Sequence, residues 1–288
     1  MIVVKLKGGL GNQMFQYACG RAVALHNQTT LKLDLSDYNQ RSLRKFLLDD
    51  LNVQYSIATK ADLGVFGISS NMFKNIFPNM GKTYTPIYKE HKHFDFDTQV
   101  FALEPPVYLD GYWQCKDYPD QIKRILHKEF TLKDSTNREY CKLLQQIERH
   151  TSVGVHIRRG DLVHNKQTKV AFGYCDIQYY LNAMNYIEQR YIDPTFFVFS
   201  DDIPWCKAHI KRKNVFFVEM HNLYVEVSEM MLMSASKHQI ISNSTFSWWA
   251  AWLNTNRKKI VIAPIPWRKD DIEVKNLLYP TWITLPMN

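Results

Sequence analysis

The sequence predicts an α/β protein built on parallel β-sheets, and three stretches carry that prediction. Ile2-Val3-Val4-Lys5-Leu6, a helical pattern from about Asn12 to His26, and Thr30-Leu31-Lys32-Leu33-Asp34 read as strand, helix and strand, one β-α-β unit. Thr195-Phe196-Phe197-Val198-Phe199 is apolar without interruption, as strands covered on both faces are. Ser152-Val153-Gly154-Val155-His156-Ile157 is a short apolar run that leads directly into Arg158-Arg159-Gly160-Asp161. At 288 residues the chain has room for two compact domains, and the helix before Ser152 sets the expected division at 1–149 and 150–288.

In chain order, the first strand runs into Lys7-Gly8-Gly9-Leu10-Gly11-Asn12-Gln13. A turn holding Gly9 and Gly11 at a helix amino terminus forms a nest for an anion or a sugar hydroxyl. The Asn12 and Gln13 amides suit hydroxyl groups. The glycines fall as G-G-x-G, with Met14 at the third glycine position of a dinucleotide fingerprint, and no P-loop lysine follows. A plain tight turn is the competing reading. From Tyr38 to about Gln99 the pattern breaks into short apolar pieces among glycines and prolines, which predicts short helices and long loops. Asp95 and Asp97 have the D-x-D spacing that can hold a divalent ion on a diphosphate. No strand precedes them, and no metal site is assigned. Pro106 to Gln114 reads as an aromatic strand, followed by helices from Tyr118 to Lys128 and from Ser135 to Arg149.

Along the strand ending at Ile157, alternation puts His156 and Arg158 on one face at the carboxyl end. That is the end where open α/β sheets hold ligands. A guanidinium there suits phosphate, because its planar fork binds two oxygens at once; a structural Arg–Asp pair with a turn glycine is the alternative. A polar stretch, Leu162 to Tyr174, follows as a candidate lid, then a helix from Ile177 to Arg190. The next strand ends in Ser200-Asp201-Asp202, with Pro204 two residues on. That order fits a helix cap and equally a carboxylate for the N1–H and amino group of guanine. A strand Val215–Val218, a helix Leu223–Ser236 with methionine fillers, and a strand Lys237–Ser242 lead to Asn243-Ser244-Thr245-Phe246-Ser247, where an apolar helix begins. Several hydroxyls beside the N–H groups of a helix start make a phosphate site; a cap alone needs one. Lys258–Ala263 is expected as the last sheet strand, with the tail to Asn288 packing back across the domains.

The formal charge of +8 points to an anionic partner: a nucleotide, a nucleic acid or an acidic membrane. No RNA-binding signature or recognition helix accompanies it, so nucleic acid is set aside. The basic runs Lys211-Arg212-Lys213 and Arg257-Lys258-Lys259 fall at helix-to-strand junctions, where solvated charge is usual. Five widely spaced cysteines without a C-x-x-C indicate a reducing compartment. With no signal-peptide layout and no spanning run, a cytoplasmic protein is expected, with peripheral contact at the inner face of the plasma membrane left open.

Three segments, Gly8–Ala18 (GGLGNQMFQYA), 156–161 (HIRRGD) and 242–253 (SNSTFSWWAAWL), together resemble the bacterial α-1,2-fucosyltransferases, the family that includes the blood-group H type enzymes. Leu162 departs from the aromatic residue common after that Arg-Gly-Asp. The resemblance implies a GT-B-like pair of Rossmann-type domains whose parallel sheets face a cleft, acceptor-side first and donor-side second. It implies inverting, metal-free transfer of fucose from GDP-β-L-fucose to the 2-hydroxyl of a galactose, without a cofactor, in O-antigen or other surface-glycan synthesis. The acceptor is a galactose-containing oligosaccharide or a lipid-linked glycan. By the same resemblance Arg158 holds the β-phosphate, and Ser244, Thr245, Phe246 and Ser247 hold phosphate oxygens and shelter the base. His156 with Asp201 or Asp202 lies towards ribose and guanine, and Asn12 and Gln13 approach the fucose and the acceptor. Asp161 is the nearest carboxylate for the acceptor proton, with His156, another carboxylate or no dedicated base as alternatives. A non-catalytic carbohydrate-binding protein and a fucosyltransferase of another linkage are the competing functions. A nucleotide phosphatase or kinase lacks the metal carboxylates or P-loop it would need.

Overall fold

The computed structural model describes residues 1–38, 44–68, 85–160, 170–221, 225–270 and 272–288. They form two compact units, Met1–Asp49 with Val53–Glu129, and Asp50–Asn52 with Phe130–Asn288. The first carries β1 (Ile2–Lys5), α1 (Leu10–His26), β2 (Leu31–Asp34), β3 (Ser56–Ile57), α2 (Lys60–Gly64), β4 (Ile87–Lys89), β5 (Val107–Asp110), α3 (Asp117–Gln121) and α4 (Lys123–Glu129). Its strands are parallel in the order β3-β2-β1-β5-β4. Ile2, Val3 and Val4 are fully buried, the residue pattern of a central parallel strand. α1 lies directly on them: a Cβ added at Gly20 would stand 2.1 Å from Val4 Cγ2, so only glycine admits this approach. The edge strands β3 and β4 fall in the stretch expected to hold short helices and loops. They are too short and too exposed for a hydrophobic pattern to reveal them. The helix expected from Tyr118 to Lys128 is two helices, α3 and α4, with the break at Ile122.

The second unit carries α5 (Arg138–Arg149), β6 (Thr151–Ile157), α6 (Ile177–Glu188), β7 (Pro194–Ser200), α7 (Ile203–His209), β8 (Val215–Phe217), α8 (Val225–Ala235), β9 (His238–Ile240), α9 (Thr245–Leu253), β10 (Val261–Ile265) and β11 (Ile283–Pro286). The order is β11-β10-β9-β6-β7-β8, again parallel throughout. Two differences from the sequence reading stand out. The unit boundary is at Glu129/Phe130, not 149/150, because α5 buries Tyr140, Leu143 and Ile147 within the second unit. Phe130 packs edge-on against Trp249 there, at 5.2 Å. The tail adds a strand: β11 extends the sheet beside β10, and Ile283 and Leu285, two apart, pack on the core while Thr284 points away from it.

The core of this unit joins Val153, Val155 and Ile157 of β6 to Phe196 and Val198 of β7 and to Tyr180, Met184 and Ile187 of α6. Burying a side chain of that size contributes roughly 1.5–3 kcal/mol. α8 closes on β6 at Gly154, where an added Cβ would meet Met233 Cγ at 2.9 Å and Ser236 Oγ at 3.0 Å. α9 is buried from Ser247 to Leu253, and its Trp248 donates its indole N–H to Leu277 O at 2.8 Å. Among the described residues no helix is long and apolar enough to cross a membrane.

Candidate functional site

The carboxyl end of β6 delivers the expected group. His156 is buried, its Nδ1 shares a 2.9 Å hydrogen bond with Ser242 Oγ, and its ring lies tilted over Phe246 at 4.9 Å. Burial first, and then the Arg158 charge, push its pKa down to about 3, so the imidazole is neutral near neutral pH. Two residues on, Arg158 Nη1 donates to Ser244 Oγ at 3.3 Å. Ser244 is also the cap of α9, accepting from Phe246 N–H at 3.3 Å. One hydroxyl thus fixes both the guanidinium and the helix start. Thr245 and Phe246 sit half-buried in the first turn of α9. That terminus places positive dipole character next to Arg158.

Ser247 is different. It is fully buried, and its hydroxyl turns back to Ser242 O at 3.4 Å and Ser244 O at 3.3 Å. The three-hydroxyl cluster therefore divides into one cap, one half-exposed threonine and one interior bond. Asn243, within the same motif, is also structural: its amide donates to Phe172 O at 3.0 Å and Trp267 O at 3.4 Å.

Asp201 and Asp202, at the end of β7, both bind the Arg158-Arg159-Gly160 turn or its neighbours. Asp202 caps α7 through Trp205 N–H (3.1 Å), and its other oxygen accepts from Arg159 Nε at 3.1 Å. Arg159 also stacks over the Trp205 ring at 3.9 Å. Among the described residues its carboxylate partner is Asp202. Asp201, exposed, accepts the Arg159 backbone N–H at 2.8 Å. A Cβ at Gly160 would come within 2.6 Å of Asp201 Oδ2, so any larger residue there has to displace that carboxylate. Asp161 and the first part of the candidate lid lie outside the described residues. Glu229 on α8 was not singled out from the sequence, where it reads as one charge on a Met-rich helix. Burial, with Glu226 and Asp201 adding to it, pushes its carboxyl up to about 7.

The first unit holds the other expected residues. Gly8 has a φ of +84° and Gly9 is the residue before α1, without a side-chain cap; Gly11 lies buried in the first turn. Asn12 Oδ1 accepts from Gln114 Nε2 at 2.9 Å, which joins the loop to the residues after β5. Lys7 pairs with Asp110 at 2.9 Å and lies over Tyr112 at 4.8 Å. Gln13 is fully buried, and its amide is held internally: Nε2 donates to Gly8 O and Lys45 O, and Oε1 accepts from Leu47 N–H. It shapes the loop from beneath. Asp97 of the D-x-D pair caps the short 3-10 turn after it and accepts from Tyr88 Oη at 2.7 Å.

A family model described as Glycosyl transferase family 11 matches residues 1–286. An α-1,2-colitosyltransferase of Escherichia coli is 36% identical over 275 residues, covering 93% of this chain and 92% of that protein. The O-antigen biosynthesis glycosyltransferase WbnK of Escherichia coli is 29% identical, covering 97% and 99%. The human galactoside α-(1,2)-fucosyltransferase 1 is 27% identical, covering 85% of this chain and 63% of that protein. The crystal structure of POFUT1 with GDP matches with a TM-score of 0.52 at 14% identity, covering 90% of this chain and 95% of that one. At that identity the likeness speaks for the fold, a GT-B-like pair of Rossmann-type domains.

Proposed function

The chain belongs to glycosyltransferase family 11, and from that membership we propose an inverting transferase that moves L-fucose from GDP-β-L-fucose to the 2-hydroxyl of a galactose residue. The observation that carries the reading is Arg158 held by Ser244 at the start of α9. In the transfer the acceptor oxygen attacks the anomeric carbon opposite the diphosphate, the bond to the diphosphate breaks, and GDP leaves with the electron pair. Negative charge gathers on the leaving group, so a fixed guanidinium and a helix start stabilise the transition state more than the ground state. They supply positive charge where other transferases use a divalent ion, which supports a metal-independent reaction.

His156 is a weak proton acceptor with its pKa pushed down to about 3, which favours a role in shaping the nucleotide pocket with Phe246. The acceptor's proton is assigned to Asp161, the nearest carboxylate in sequence. Guanine's N1–H and amino group are assigned to Asp201, since Asp202 is engaged by the cap and by Arg159. Asn12 and Gln114 suit the hydroxyls of the sugars. The galactoside fucosyltransferase relative supports a galactose-containing acceptor, and the O-antigen relative a surface glycan, free or lipid-linked.

A second reading concerns the donor. The α-1,2-colitosyltransferase similarity favours a GDP-linked 3-deoxy analogue of fucose with the same linkage. The two donors differ by one hydroxyl, and a site built to bind that hydroxyl rejects the analogue lacking it by about 10⁴-fold or more. Calorimetry with GDP in excess chelator comes first, then transfer from each donor to β-galactosides, read by mass and linkage. GDP binding with α-1,2 product supports the transferase, and the ratio of kcat/KM values selects the donor. Silence towards GDP and both donors favours a carbohydrate-binding protein.

A further inference from the structure

The two basic runs in the sequence lie along one edge. Parallel strands all start at the same side of a sheet, and in the second unit the segments before β6, β7, β8, β9 and β10 each hold basic residues. Arg149 precedes β6 and Arg190 comes shortly before β7, while Lys211 and Lys213 precede β8. Lys237 precedes β9, and Arg257 and Lys258 precede β10. All seven of these side chains belong to exposed residues. The register aligns them: Thr151 is level with Pro194, Val215 with Phe196, His238 with Val153, and Val261 with Gln239. From β8 to β10 is four strand spacings, about 19 Å. The acidic residues in the same segments are Glu148, Glu188 and Asp193, and Glu188 is already paired with Arg212. The matching edge of the first sheet differs. The described residues just before β2, β3 and β5 hold Glu104 and neither lysine nor arginine.

At this edge stands Ile192, 95% exposed, at the tip of a turn whose next residue, Asp193, has a φ of +50°. A cavity of about 440 Å³ lies beside it, lined by Arg190, Tyr191, Pro194 and Asn214 among others. An aliphatic side chain held outward among cations gains nothing in water and little on a polynucleotide, which offers charge and aromatic stacking. It does gain at a bilayer, where apolar groups enter the boundary between headgroups and acyl chains while lysines meet anionic lipid.

We propose that this edge, opposite the donor-side residues, docks the protein on an anionic phospholipid bilayer. Cosedimentation with phosphatidylcholine vesicles, with and without one quarter phosphatidylglycerol, tests it. Binding is expected on the anionic vesicles alone, and to be lost at about 0.5 M salt. Lys213→Glu with Arg257→Glu and Lys258→Glu should weaken it by on the order of 100-fold, and Ile192→Ser alone severalfold. Both variants should melt and turn over a soluble acceptor as the wild type does, since none of these residues is in the site; Lys258→Glu alone should show a smaller loss of the same kind. Equal binding to both vesicle types overturns the proposal, as does undiminished binding by the triple variant. So does RNA binding as strong as lipid binding with no response to Ile192→Ser.

Discussion

Arg158 is tested most sharply by a change that keeps its charge. Arg158→Lys retains the cation but loses the two-point fork, so the variant should fold, bind GDP weakly and lose about 10²–10³-fold in turnover, the cost of one transition-state donor. Asp161→Asn separates chemistry from binding. If Asp161 takes the acceptor proton, transfer should collapse while slow GDP-fucose hydrolysis survives, because leaving-group departure does not need that carboxylate; equal loss of both would remove the assignment. Ser244→Ala should do two things through one hydroxyl. Loss of the α9 cap should lower stability by about 1 kcal/mol, seen as a lower Tm. GDP affinity should fall as well, because Arg158 loses the oxygen that Nη1 now meets at 3.3 Å.

The junction of β6 and β7 makes a prediction that belongs to the elements. Gly160→Ala should push Asp201 off the Arg159 N–H and lower both stability and GDP affinity, because the new Cβ would stand 2.6 Å from the carboxylate. Adding Asp201→Ala should remove the collision, so the double variant should be more stable than the two single losses predict; additive losses would sink this account. The same scale shows what was legible in the sequence. The long central strands and their helices stood out because continuous apolar runs and 3.6-residue periodicity report burial directly. Arg158 and Ser244 stood out because buried charge and clustered hydroxyls need a reason. The edge strands β3 and β4 were hidden because two or three exposed residues make no pattern, and β11 because its alternation is brief. Ser247 and Gln13 have the right chemistry but point inward, a matter of rotamer and packing that residue type does not carry. Glu229 was hidden for the opposite reason: its shift comes first from burial, which only the fold supplies, with Glu226 and Asp201 adding to it.

For the whole molecule, two of the shifted groups, His156 and Glu229, act on stability against pH in opposite senses. Unfolded, His156 takes a proton below 6.5; folded, it takes one only near 3, so acid lowers stability across that window. Glu229 is raised from 4.5 to about 7, so its contribution is full below 4.5 and is lost as pH rises through about 7. The two slopes, each at most about 1.4 kcal/mol per pH unit, cancel between 4.5 and 6.5. For these two groups Tm should be flat there and fall on the acid side. In Glu229→Gln the plateau should become a continuous rise towards 6.5, and an unchanged plateau would refute the shift. The path of the chain has a consequence for anyone recombining relatives. Asp50–Asn52 leave the first unit to pair with Thr131–Lys133 in the second, through Asn52 N–H to Thr131 O and Lys133 N–H to Asp50 O, both at 3.0 Å. A chimera cut once, at 129/130, would inherit the second unit from one parent and three of its residues from the other. Both seams have to be exchanged together for the hybrid to keep its own pairing.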